Sequence, residues 1–230
     1  MKIQTLAKNF VSLFYPDLCA ICREPLVEDE KYFCFACFLK LPKTNYHFIP
    51  ENPAIERLAG KVNLVKASSY LYYNKGGIAQ KLIAEIKYRG NPDLGEWFGT
   101  YLAKDMVSSD FFKGIDYLVP VPLHRAKEKK RGFNQAEKIA VGIAKITKIP
   151  LVTKNVFREK ANISQTRKGI FDRWKNTQNL FQVKDAELFN KKHVLLIDDV
   201  LTTGATLEAL AQCLLKSQNI SISILTLAVT

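Results

Sequence analysis

The sequence has no apolar run long enough to cross a bilayer as a helix. Its longer apolar stretches, such as Ile222 to Val229, fall far short of the roughly 20 residues required. Met1 to Pro16 carries no apolar core bounded by small residues and no cleavage-like site, so a secretory signal is not expected. A cytoplasmic protein without a membrane span is the expectation. There is no internal repeat and no low-complexity tract. The Gly-Lys-Ser/Thr ending of the nucleoside-triphosphate loop is also missing. Cysteine is scarce outside one cluster: Cys19, Cys22, Cys34 and Cys37 stand together, and Cys213 stands alone.

What is present suffices for one α/β domain with a small appendage: 230 residues, 47% of them hydrophobic. Ile3, Leu6, Phe10, Leu13 and Phe14 share one helical face, and Pro16 ends that helix. Residues 17 to 42 are short-ranged and cysteine-rich. Residues 43 to 60, with Pro50, Pro53 and Gly60, read as a linker. From Val62 onward strands alternate with helices. Strands are expected at Val65 to Tyr73, Tyr117 to Val121, Leu151 to Val152, His193 to Ile197 and Ser221 to Ala228. Helices are expected around Ile78 to Ile86, Leu94 to Met106, Asn134 to Lys148 and Ala205 to Lys216. That alternation predicts a parallel sheet flanked by helices. Two regions follow: 1–60, with helix, cysteine module and linker, and 61–230, the α/β domain.

Cys19-x2-Cys22 and Cys34-x2-Cys37 present four thiolates to one tetrahedral ion, and zinc is the expected metal over an iron–sulfur cluster. With all four positions filled by protein, the role is structural. A segment this short cannot hold a core alone, so metal binding must supply folding energy. His47 reads as a surface residue and Cys213 as a packed core cysteine.

The sharpest feature runs from Val194 to Thr206. An apolar strand ends in Asp198 and Asp199, and Leu201, Thr202, Thr203, Gly204, Ala205 and Thr206 then turn into a helix. This layout puts a ligand at the carboxyl edge of a parallel sheet. Loop N–H groups and threonine hydroxyls favour a phosphate. Carboxylates repel a bare phosphate, but they accept hydrogen bonds from a sugar diol or hold magnesium. A ribose 5-phosphate satisfies both halves of the motif. The segment resembles the signature by which type I phosphoribosyltransferases bind phosphoribosyl pyrophosphate (PRPP).

The formal charge of +12 is concentrated: His124 to Lys175 holds 15 Lys/Arg against 4 Asp/Glu. Such a block implies an anionic partner. His124, Arg125 and Arg131 follow the Tyr117 to Val121 strand, in the loop that the phosphoribosyltransferase resemblance implies cradles pyrophosphate, with Arg131 offering a bidentate grip. Arg158, Gln165, Arg173 and Asn176 belong to a long polar segment expected to act as a hood over the ligand. Lys87, Arg89, Lys129, Lys130, Arg167, Lys168, Trp174 and Lys175 are candidates for tracking single-stranded DNA, with aromatics interleaved for base stacking.

Lys87-Tyr88-Arg89-Gly90, Pro120-Val121-Pro122-Leu123, Arg131-Gly132-Phe133-Asn134-Gln135, Gln165…Arg173…Asn176, the Asp198 to Thr206 segment and the paired cysteines stand together in one order. The set resembles the ComF family (competence protein F, ComF/GntX-like). The resemblance implies a type I phosphoribosyltransferase fold with an N-terminal zinc module. It also implies PRPP with magnesium as ligand, and a role in natural transformation, where incoming single-stranded DNA is handled. Three functions follow from it: transfer of ribose 5-phosphate to an acceptor, non-catalytic binding of single-stranded DNA beside a sensory or vestigial PRPP site, and an adaptor contacting a DNA-uptake helicase or membrane channel component.

Overall fold

The computed structural model describes residues 15–27, 29–88, 91–158 and 180–230. The helix expected within residues 1 to 14 lies outside them. Among the described residues no helix is long and apolar enough to cross a membrane.

Four parallel strands form the central sheet in the order β1-β6-β5-β2: β1 (Lys66–Tyr72), β2 (Tyr117–Pro120), β5 (His193–Leu201) and β6 (Ser221–Val229). Each is rich in apolar or β-branched residues and nearly continuously buried, as strands covered on both faces must be. Residues 150 to 152 extend the β2 edge through a parallel bridge of Leu151 to Leu118. A short antiparallel pair, β3 (Val156–Arg158) and β4 (Phe181–Val183), stands apart from the sheet.

Alternation along the strands sorts side chains onto two faces. Leu195, Ile197, Leu225 and Leu227 meet α3 (Ile78–Tyr88), α4 (Pro92–Met106) and α6 (Gln135–Thr147) through Leu82, Phe98 and Ile139. Val194, Leu196, Ile222 and Ile224 meet α7 (Ala205–Leu214) and Phe189 on the other face. Helices α4 and α6 cross at glycines. A Cβ on Gly99 would lie 2.1 Å from the Ile139 carbonyl oxygen, and one on Gly142 would lie 2.1 Å from that of Glu96.

The cysteine module, which includes α1 (Phe35–Leu39), shares the first of these cores. Phe33 packs on Trp97 and Phe98, Tyr32 on Trp97, and Phe38 on Tyr101. Arg23 pairs with Glu85 of α3. The outer face of α4 is thereby covered by aromatic rings of the module.

Residues 43 to 60 do not behave as a linker. Lys43 bridges Leu71 antiparallel at the free edge of β1. A short helix, α2 (Pro53–Glu56), is capped by Asn52, whose Oδ1 accepts from Ala54 N–H at 3.0 Å. The Asn52 amide donates to the Ile49 carbonyl at 2.7 Å and to the Ala67 carbonyl of β1 at 2.9 Å. His47, expected on the surface, is buried against Phe48 with ring centroids 4.2 Å apart, and burial lowers its pKa. Cys213 is buried as expected, its thiol donating to the Phe181 carbonyl. Asn52→Ala would remove a cap and the donor to the buried Ala67 carbonyl and the part-buried Ile49 carbonyl. The expected cost is about 3 kcal/mol of stability in urea unfolding.

Candidate functional site: the Asp198 to Thr206 loop and a neighbouring cation network

Strand β5 runs through both acids to Leu201, past the expected end at Ile197. Asp198 and Asp199 therefore point to opposite faces of the sheet. Asp198 is half-buried and lines a shallow cavity with Val200 and the residues from Thr202 to Leu207. Thr202 and Thr203 are exposed at its rim, and Gly204, at φ +79°, turns the chain into α7. Burial, followed by the charge of Asp199, pushes the Asp198 carboxyl up to about 7. The Asp199 N–H, Lys87 and Arg158 pull the other way.

Asp199 is buried and already partnered. Lys87 at the end of α3 pairs with its Oδ2 at 2.8 Å, and the Gln135 amide donates to the same oxygen at 2.7 Å. Gln135 in turn accepts from Arg131, whose guanidinium lies over the Tyr88 ring, 5.4 Å from its centroid. The Arg131 to Gln135 motif thus has a use for each residue. Arg131 enters the network. Gly132, at φ +83°, ends the preceding helix, where a side chain would be strained. Phe133 packs on the core. Asn134 caps α6 through Ala136 N–H and ties it to β2 by donating to the Val121 carbonyl at 3.0 Å.

The stretch after β2, expected as a loop, is instead the two-turn helix α5 (Arg125–Arg131). His124 is its N-cap, with Nδ1 accepting from Ala126 N–H at 3.2 Å. A helix places residues 125 and 131 about 9 Å apart along its axis and on different sides. The two arginines expected to share one pyrophosphate therefore do not converge. Arg125 and Arg158 line a second cavity with Pro122, Asn134 and Phe157, whereas Arg131 joins the Asp199 network. Lys129 and Lys130 are exposed on α5. Lys87, a DNA-contact candidate by sequence, is committed to Asp199 instead. Arg89, Gln165, Arg167, Lys168, Arg173, Trp174, Lys175 and Asn176 lie outside the described residues.

The four cysteine Sγ atoms lie within 4.8 Å of one another. Those of Cys22 and Cys34 are 3.6 Å apart, close to the edge of a tetrahedron with sulfur about 2.3 Å from zinc. Burial raises the Cys19 thiol, but N–H groups of Cys22, Cys34 and Ile21 outweigh it and hold it near 6, whereas burial and the neighbouring thiols push Cys37 up. These four residues could hold a zinc ion.

Sheet order, the acid pair near the carboxyl end of β5 and the Thr-Gly loop define a protein of the type I phosphoribosyltransferase fold. The family model for the phosphoribosyl transferase domain matches residues 129–229. Similarity to named relatives is longer. Competence protein ComFC of Bacillus subtilis is 29% identical over 221 residues, covering 88% of this chain and 86% of that protein. DNA utilization protein YhgH of Escherichia coli is 24% identical over 220 residues, covering 89% and 93%. Competence protein F of Haemophilus influenzae is 32% identical over 118 residues, about half of each chain. Over most of its length the chain is thus similar to proteins named for competence and DNA utilization, and its C-terminal part carries the phosphoribosyl transferase domain.

Sequence reading singled out Asp198 to Thr206 and Arg131, which the structure resolves into two adjoining assemblies. It missed Gln135 as the link between Arg131 and Asp199. The signal was present, a polar residue in the first turn of an otherwise apolar-faced helix. It also missed Arg57 and Lys61, described below, for which the sequence offers no local signal.

Proposed function

We propose that the protein binds PRPP through the Thr202 to Thr206 loop and serves DNA uptake or utilization, transferring ribose 5-phosphate to an acceptor. The observation that carries this reading is the cavity shared by Asp198 and the phosphate-type loop. Loop N–H groups and the hydroxyls of Thr202, Thr203 and Thr206 receive the 5-phosphate. Asp198 accepts from the ribose hydroxyls, and its carboxylate is the one in that cavity suited to magnesium, a cation that prefers oxygen. Arg158 lies close enough to act on Asp198 and supplies positive charge towards the pyrophosphate. In the transfer, a nucleophile bonds to the anomeric carbon as the bond to the pyrophosphate oxygen breaks, and pyrophosphate leaves. The relatives named for competence and DNA utilization support the DNA context.

Titration of PRPP with magnesium into wild type should show micromolar binding, lost in Asp198→Ala. A folded wild type that binds no PRPP would overturn the reading. A second reading, single-stranded DNA binding beside a sensory PRPP site, draws on the exposed cations Lys127, Lys129 and Lys130 of α5. It predicts oligonucleotide binding that weakens steeply with salt and fails in Lys129→Glu/Lys130→Glu. The zinc module exposes Phe35 and Leu39 on successive turns of α1, a surface available to an uptake partner.

A further inference from the structure

The loop of residues 201 to 204 has positive charge behind it, supplied by a segment far away in sequence. The Arg57 guanidinium donates to the Thr202 carbonyl at 2.8 Å, to the Leu201 carbonyl at 3.4 Å and to the Thr230 hydroxyl at 3.0 Å. The Lys61 ammonium donates to the Thr203 carbonyl at 3.2 Å. Between them Leu58, fully buried, closes on Gly204. A Cβ on that glycine would lie 2.5 Å from Leu58 Cδ2. Three consecutive loop carbonyls are thus held by cations, and the loop's glycine is held by a leucine of the same segment.

We propose that Arg57 and Lys61 are positioning residues of the sugar-phosphate site, so that residues 52 to 62 form its brace. The proposal rests on the reading of the loop as a sugar-phosphate site. The peptide unit is planar. In a trans peptide the C=O and the following N–H point in opposite directions. Drawing the carbonyls of residues 201, 202 and 203 towards Arg57 and Lys61 turns the N–H groups of Thr202, Thr203 and Gly204 the other way. A cation on each carbonyl also polarises its peptide, which strengthens the N–H as a donor to an anion. The loop itself contains no Lys or Arg, and Asp198 and Asp199 stand at its entrance. Arg57 and Lys61 offset that negative charge without entering the cavity. The brace is itself anchored: Asn52 ties it to β1, and Leu58 and Val62 are buried in the core shared with α7. Arg57 is half-buried and Lys61 exposed, so truncating their side chains leaves that anchoring in place.

The test compares wild type, Arg57→Ala/Lys61→Ala and Arg57→Lys by calorimetric titration with two probes, ribose 5-phosphate and magnesium pyrophosphate. The double variant should bind ribose 5-phosphate about tenfold more weakly or worse. Its affinity for magnesium pyrophosphate and its thermal midpoint should stay close to wild type, and Arg57→Lys should recover part of the loss. An unchanged affinity for ribose 5-phosphate, or an equal loss for both probes, would overturn the brace. Amide hydrogen exchange gives a readout that needs no ligand. Exchange at residues 202 to 206 should accelerate about tenfold in the double variant while that of β6 stays protected. A wild type that binds neither probe would sink the sugar-phosphate reading. The exchange result alone would then decide the brace, and unchanged exchange would end it.

Discussion

Cys37→Ser will lower the thermal midpoint by about 10 °C and change the emission of Trp97. The module that Cys37 closes has little core of its own, and its four thiols lie within 4.8 Å of one another. Losing one ligand removes much of the metal's contribution, which in small zinc modules is most of the folding energy. The damage spreads because the module shares its core with the α/β domain. Tyr32 and Phe33 pack against Trp97, and Phe38 packs against Tyr101, one turn further along α4. Uncovering that face exposes aromatic area worth about 4 kcal/mol, which for a chain of this size is about 10 °C. Scanning calorimetry with and without a zinc chelator checks the midpoint. Fluorescence of the Trp174→Phe background isolates Trp97. A wild type whose midpoint and Trp97 emission ignore complete zinc removal would show that packing alone holds the module.

The cysteine spacing made this module legible in sequence because metal ligation depends on residue type and a short offset. Asp198 to Thr206 was legible for a similar reason: strand, acids, loop and helix follow one another without a break, and the chemistry sits within 13 residues. Helix α5 was not, since Arg-Ala-Lys-Glu-Lys-Lys-Arg carries no apolar period for a pattern to show. Its marks were at the ends, a capping His124 and a Gly132 in the left-handed region. The brace was least legible. Arg57 reaches carbonyls 144 and 145 residues away, and backbone acceptors leave no trace in residue identity. Prolines and a glycine gave residues 43 to 60 the look of a linker. In the structure Pro53 opens a helix, Asn52 caps it, and Leu58 is buried. The opposed orientation of Asp198 and Asp199 followed from strand β5 continuing past them, a boundary of a few residues with a large consequence for their roles.

The placement of Asp198 predicts a pH dependence of stability and of binding, and Asp198→Asn will reveal it. Burial and the neighbouring Asp199 charge raise Asp198 from 3.8 to about 7 in the folded protein. The sign follows from linkage. Protonated Asp198 suits the fold, so its favourable contribution is complete below about pH 4 and is lost as pH rises towards 7. Asp198→Asn removes a charge that the native state bears at a cost, and should stabilise the protein at pH 8 by about 2 kcal/mol while changing little near pH 4. Urea unfolding at the two pH values measures this without any ligand. Ligand binding should run the opposite way. Ribose hydroxyls and magnesium favour the carboxylate, so wild-type affinity for PRPP should rise about tenfold from pH 6 to pH 8, with proton release at the lower value. Titration in buffers of different ionisation enthalpy counts that proton. Asp198→Asn should lose both the affinity, by about 100-fold, and its pH dependence, as expected when a charged acceptor is removed. Equal stability gain at both pH values would show that Asp198 does not carry the shifted proton. A pH-independent affinity in wild type would place the ligand away from Asp198, and the cavity beside Arg125 and Arg158 would then be the site to probe.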